Sequence, residues 1–159
     1  MDSSRPEEYM KPMSIECKEP EDLTNKIVME AVKQLGNKKY ARIPATKNGR
    51  LACAAFVSGV LRDCGAMKGN GSLGQRNLER ILRGQGWKEV WLEDAEPGDV
   101  IFWDPYPGRF HGHVGIIYKM DKDPDKCVTI DNSSSRGYSI EKKLNMVRPI
   151  RCVLRKVDK

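Results

Sequence analysis

Residues 51–65 read LACAAFVSGVLRDCG, and this stretch decides the fold because it predicts a buried helix that begins near Cys53. Its apolar side chains recur at helical spacing, and Gly65 stands where a helix commonly ends. A thiol in the first turn lies against the positive end of the helix dipole and against unpaired N–H groups, which stabilise a thiolate. A cysteine in an apolar helix is also a common core residue, so position alone leaves both interpretations open.

The two histidines of the chain, His111 and His113, stand together in RFHGHVGIIY at the entry to a predicted strand. An imidazole on a strand can pack across the start of the cysteine helix and form the Cys-His pair that makes a nucleophile at neutral pH. We predict His113 as the base because it begins the β-rich run, and His111 stays as the alternative. A loop histidine without a role is the competing interpretation.

The next predicted strand, VTIDNS, supplies a third polar residue in Asp131 or Asn132. Such a residue orients the imidazole through its other ring nitrogen. Because side chains alternate along a strand, these two point to opposite faces and only one can reach His113. Asp-Asn-Ser is also a common turn sequence, so the choice stays open at this stage.

The remaining chain predicts helices first and strands afterwards. Helical spacing recurs over residues 22–35 and 73–86, and short β-rich runs follow at 87–91, 99–103, 113–118, 127–132 and 150–157. This order indicates an α+β domain whose N-terminal helices, including the cysteine helix, pack on an antiparallel sheet of about five strands. We predict a polar tail or arm over residues 1–20 and one domain over residues 21–159.

The charge balance favours anionic partners. Lys and Arg number 28 against 22 Asp and Glu, a net charge of +6 that suits nucleic acid, an anionic lipid surface or an anionic cell-wall polymer without choosing among them. The basic residues are scattered and form no nucleic-acid-binding motif, so no specific nucleic-acid partner is predicted. The five cysteines have no CxxC spacing, and neither a metal nor another cofactor is predicted.

Two targeting features are also missing from the sequence. No apolar run approaches the roughly 18 residues of a membrane span, so no span is predicted. The first residues, MDSSRPEEYMKPM, lack the basic stretch, apolar run and cleavage site of a secretion signal. We therefore expect synthesis in the cytoplasm, and export would need another route.

Five segments together resemble a known enzyme family. They are AVKQLGNKKYARIP at 31–44, ACAAFVSGVLRDCG at 52–65, EPGDVIFWD at 96–104, HGHVGIIY at 111–118 and VTIDNS at 128–133. In this order and spacing they are similar to the NlpC-like cell-wall peptidases, with the CHAP amidases as close cousins. The resemblance implies a papain-like (NlpC-like) core and an acyl-enzyme that cleaves amide bonds in peptidoglycan stem peptides, or between peptide and sugar.

The resemblance also implies roles for individual residues. Cys53 matches the nucleophile of the family, His113 its base and Asp131 its third polar residue. Tyr40 matches a tyrosine that lies near the substrate in many members. An acidic residue in the third position is more typical of the CHAP cousins than of the NlpC-like group.

Two positions depart from the family pattern. Many members carry Asp before the cysteine and Ser after it, where they help to bind the substrate, but here these positions are Ala52 and Ala54. That recognition is absent, which favours an amidase-like or otherwise altered specificity.

The leading prediction is a cysteine peptidase or amidase that acts on a peptidoglycan stem peptide or a similar amide. One alternative is a papain-like protease, deamidase or acyltransferase with a substrate outside the cell wall. Another is a catalytically inactive relative that only binds the cell wall. The presence of both Cys53 and His113 disfavours that relative, because a binding module needs neither.

Overall fold

A computed structural model describes residues 23–37 and 52–157 of the chain. Three helices come first within these residues: α1 (Leu23–Lys33), α2 (Cys53–Asp63) and α3 (Gln75–Gly84). Helix α2 begins at Cys53, as predicted, and the chain turns away from it at Gly65 with a φ of 81°. The predicted tail, residues 1–20, and Tyr40 lie outside the described residues.

The strands follow the helices along the chain. They are β1 (Lys88–Val90), β2 (Val100–Trp103), β3 (His113–Lys119), β4 (Val128–Ser133), β5 (Tyr138–Lys143) and β6 (Ile150–Arg155). In the described part of the chain they form one antiparallel sheet in the order β1-β6-β2-β3-β4-β5. The predicted α+β class, with helices packed on an antiparallel sheet, is confirmed.

The prediction of about five strands misses β5. Its sequence, YSIEKK, has only Tyr138 and Ile140 as apolar residues, so the alternation that signals a strand is weak. The strand lies at the edge of the sheet and pairs only with β4, where charged side chains can face water. Gly137, with a φ of 79°, makes the turn that leads into it.

Apolar side chains fill both faces of the sheet. The larger cluster lies between the helices and one face, and it includes Phe56 of α2, Val114 and Ile116 of β3, and Ile130 of β4. A smaller cluster contains the alternate residues Ile101, Trp103, Ile117 and Val153. Because α2 contacts β3 and β4, its first turn lies near the start of β3.

Among the helices that the structure describes, none has the length and apolar character of a membrane span.

Candidate active site

Cys53 and His113 line an open cleft with a volume of about 830 Å³. The cleft is bordered by the start of α3 (residues 73–77), the loop between β2 and β3 (residues 106–112), and the end of β4. Strand β3 begins at the end of that loop with His113. The ends of several elements therefore meet at one place, which is a common position for a binding site.

The thiol of Cys53 lies at the first residue of α2. The preceding residue is Ala52, whose side chain makes no capping hydrogen bond, so the N–H groups of the first turn are left for other acceptors. Two N–H groups, from Ala54 and Val114, donate to the sulfur. Burial raises the pKa of this thiol, but the hydrogen bond and charge of His113, together with these two N–H groups, outweigh burial and lower the pKa below its ordinary value.

The imidazole of His113 lies between a carboxylate and the thiol. Its Nε2 is 3.2 Å from Oδ1 of Asp131, a close ion-pair contact in which the atoms are not aligned as a regular hydrogen bond. This leaves Nδ1 for the thiol of Cys53. Burial lowers the pKa of His113, but Asp131 and Cys53 together have the larger, opposite effect and raise this pKa to about 9. At neutral pH these directions favour a thiolate–imidazolium pair.

The ring of His113 also packs on an aromatic side chain. Trp103 is its direct partner across the β2–β3 ladder, and the two ring centroids are 5.3 Å apart with a tilt of 35°. The indole N–H of Trp103 donates to the backbone carbonyl of Asn145, which fixes the tryptophan in turn. The imidazole is thus held from one side by a buried, anchored ring.

Asp131 is fully buried and contacts three polar side chains. Besides the imidazole, Nζ of Lys142 lies 3.0 Å from Oδ1, and the hydroxyl of Thr129 donates to Oδ2 at 2.9 Å. Burial raises the pKa of this carboxyl group, but His113 and Lys142 outweigh burial and lower the pKa below its ordinary value. Asp131 is therefore a buried carboxylate whose charge is compensated on two sides.

The carboxylate fits only because its neighbour on β3 has no side chain. A Cβ added to Gly115 would lie 2.8 Å from Cβ of Asp131 and 2.9 Å from its Oδ2, closer than such atoms approach in proteins. Gly115 lies two residues after His113, so the two share one face of β3. The missing side chain gives Asp131 room beside the imidazole.

The structure brings some of the predicted site residues together and separates others. Asp131 reaches His113, whereas Asn132 follows it on the strand and lines the cleft instead. His111 is exposed at the cleft, and its carbonyl oxygen accepts a 2.6 Å hydrogen bond from Arg148. Within the described residues, no group of three or more His, Cys, Asp or Glu side chains is placed to hold a metal ion.

Three residues that support the imidazole and the carboxylate were not predicted from the sequence, namely Trp103, Thr129 and Lys142. Trp103 could have been found by pairing IFW with HVG as neighbouring antiparallel strands, since this register places it opposite His113. Thr129 precedes Asp131 by two residues, so alternation puts it on the same face. Lys142 lies on the unpredicted strand β5, and no signal in the sequence indicated it.

Comparison with known families identifies one match. Residues 45–133 match the family model described as the CHAP domain, a range that covers more than half of the chain and includes Cys53, His113 and Asp131. No curated protein and no solved structure matches the chain. The match confirms the predicted resemblance to the group that includes the CHAP domains. An assignment to the NlpC-like peptidases in particular stays a prediction.

Proposed function

Because the chain belongs to the CHAP-domain family, we propose that it is a cysteine hydrolase that cuts an amide bond in peptidoglycan. CHAP domains are typically amidases or peptidases that act on peptidoglycan, which gives the substrate class. The observation that carries the cysteine chemistry is the chain of contacts from Cys53 through His113 to the buried Asp131. This chain of contacts begins in an open cleft that a substrate can enter.

In the proposed first half-reaction, the Cys53 thiolate attacks the carbonyl carbon of the substrate amide. The carbonyl oxygen becomes an oxyanion, and the N–H of Cys53, at the uncapped start of α2, is one donor to it. When the tetrahedral intermediate collapses, the C–N bond breaks. The imidazolium of His113 gives its proton to the departing amine, which leaves a thioester on Cys53.

In the second half-reaction, neutral His113 takes a proton from water, and the hydroxide attacks the thioester carbonyl. Collapse of this intermediate breaks the C–S bond and releases the carboxylic acid. Cys53 returns to the thiolate and His113 to the imidazolium, so the enzyme is regenerated. Of the two reacting residues Asp131 contacts only His113, and its role is to orient the ring and to stabilise the positive charge on it.

The proposal covers two kinds of bond. One lies within the stem peptide, which would make the protein an endopeptidase, and the other joins peptide to sugar, which would make it an amidase. Ala52 and Ala54, on either side of Cys53, remove the polar groups with which many family relatives hold the stem peptide, and this favours the amidase.

Digestion of purified peptidoglycan tests this function. The wild type, Cys53→Ala and Cys64→Ala would be compared, with mass spectrometry of the soluble fragments. Cys64 lies just beyond the other end of the same helix, so its replacement is a matched control. We expect identical fragments from the wild type and Cys64→Ala and none from Cys53→Ala, and the new ends name the bond. Fragments from Cys53→Ala, or none from the wild type, would contradict the proposal.

A further inference from the structure

The described residues that line the cleft carry positive charge without negative charge. Three of them are arginines, Arg76 in α3, Arg109 in the loop before β3, and Arg148 before β6, and none of them is Asp or Glu. An arginine near a reactive thiol can be an ordinary solvated surface residue. Two features favour a binding surface instead, namely the lack of Asp and Glu in the described lining and the fixed position of Arg148.

Four arginines outside the cleft are paired with carboxylates, whereas Arg80 and Arg136 have no carboxylate partner among the described residues. The ion pairs include Arg62 with Asp63, Arg83 with Glu79 and Glu89, Arg151 with Glu79 and Asp104, and Arg155 with Asp99. The side chains of Arg76 and Arg109 are exposed and contact no carboxylate among the described residues. What distinguishes the cleft is that its described lining contains no Asp or Glu, so Arg76 and Arg109 stand uncompensated in the same cleft as Cys53.

Arg148 is fixed in place without being neutralised. Its guanidinium donates to the backbone carbonyl oxygens of Asp104, at 3.0 Å, and His111, at 2.6 Å. The same group lies over the ring of Tyr106, with its carbon 4.7 Å from the ring centroid. Backbone carbonyls and an aromatic ring orient a guanidinium but leave its full charge available to an anion.

Apolar side chains stand beside these cations. Phe110 is 93% exposed and Leu73 is 44% exposed, and both line the cleft. An almost fully exposed phenylalanine contributes little to the core, and exposed apolar groups next to polar ones are typical of binding surfaces. The cleft thus offers an apolar contact and an uncompensated positive charge next to Cys53.

We propose that this cleft selects substrates that carry a free carboxylate near the scissile amide, and that Arg76 and Arg109 determine this selectivity. The amide part of the proposal rests on the proposed function, whereas recognition of the carboxylate rests on the arginines alone. Arginine binds carboxylates through charge-assisted and often paired hydrogen bonds, so loss of the carboxylate charge removes most of the attraction. A stem peptide with the free carboxylate of its D-glutamate residue has this chemistry.

Binding to the Cys53→Ala protein tests the inference without requiring hydrolysis. Two muropeptides that contain both candidate bonds would be compared by calorimetry, one with the free D-glutamate carboxylate and one with the corresponding carboxamide. We expect the carboxylate peptide to bind roughly five- to tenfold more tightly, with a ratio that falls as salt is added. Adding Arg76→Gln and Arg109→Gln should bring the ratio close to one. Both side chains are exposed and neither forms a hydrogen bond or an ion pair with a described residue, so these variants should fold.

Arg80→Gln is the matched control. Arg80 lies one turn after Arg76 on α3 but does not line the cleft, so its replacement removes the same charge as Arg76→Gln alone and should keep the ratio. Equal binding of the two peptides, binding of neither, or a ratio that survives in the double arginine variant would overturn the inference.

Cleavage of both peptides by the wild type is measured in a separate experiment. A retained binding ratio without cleavage would contradict the proposed hydrolase and leave the carboxylate site standing.

Discussion

The two ends of helix α2 each carry a half-buried cysteine, and the two thiols differ in the groups that surround the sulfur. Cys53 is the first residue of the helix, where N–H groups and His113 face the sulfur, and its pKa is lowered. Cys64 follows the last residue and donates to the carbonyl of Leu61 at 3.6 Å. Burial raises the pKa of Cys64, and the negative charge of Glu30 raises it further.

This difference shows that the helix supplies only part of the reactivity. The dipole favours a thiolate at the N-terminus of α2 and disfavours one at the C-terminus, but its effect is modest and falls off within a turn. The larger contribution at Cys53 comes from His113, which is held by Asp131 and Trp103 on the neighbouring sheet. A reactive cysteine here needs the helix start and the strand start together.

The largest expected effect is the loss of the imidazole. His113→Ala should reduce the release of peptidoglycan fragments by roughly 10³- to 10⁴-fold, because it removes both the base and the charge that stabilises the thiolate. It should also make the reactivity of Cys53 toward alkylating reagents approach that of Cys64. His111→Ala, measured in parallel, should lower the rate by no more than a few-fold. Similar losses in both variants would mean that His113 is not the base.

A smaller effect is expected from the residue that orients the imidazole. Asp131→Ala should lower the rate roughly 100-fold, because Asp131 contacts His113, whereas Asn132→Ala, which changes a residue of the cleft lining, should have a clearly weaker effect. Equal small effects would show that neither residue orients the ring.

The pH profile of the same pair of variants separates positioning from a purely structural role. The imidazolium of His113 is the acid that protonates the leaving amine, so activity should fall as pH rises through its pKa of about 9. Asp131 raises this pKa, and its removal should therefore move the alkaline limb to lower pH. An alkaline limb that does not move in Asp131→Ala would contradict the ion pair with His113.

The smallest expected effect comes from crowding the carboxylate. Gly115→Ala places a methyl group against Asp131 and should reduce the rate about tenfold by displacing it. Gly84→Ala is the control, because a Cβ there meets no atom within 4 Å, and it should raise helix stability by roughly 0.5 kcal/mol without changing the rate. Rates and thermal unfolding of both variants check this pair, and an unimpaired Gly115→Ala would show that the space beside Asp131 is not needed.

The order of elements and the start of α2 could be predicted because apolar spacing in the helices and β-rich runs in the strands are local signals. The contact between Cys53 and His113 could also be predicted, because each residue stands at the beginning of its helix or strand. The choice between Asp131 and Asn132 needed the face of β4, which depends on the register with β3. Alternation alone restricted the choice to one of the two without naming it.

Other features required the tertiary structure. Lys142 reaches Asp131 from an edge strand whose charged sequence carries no clear strand signal. Only the tertiary structure shows that Arg76 and Arg109 line one cleft whose described lining contains no Asp or Glu. Long-range ion pairs depend on which surfaces meet, and sequence spacing does not report this.

The pH dependence of alkylation at each cysteine tests the central claim most directly. The folded protein would be treated briefly with iodoacetamide across a range of pH, and modification of Cys53 and Cys64 would be located by mass spectrometry. We predict that Cys53 reacts with a midpoint below the ordinary thiol pKa of 9.0 and that the midpoint for Cys64 lies above that value. Equal midpoints, or a lower midpoint at Cys64, would contradict the assignment of Cys53 as the activated nucleophile.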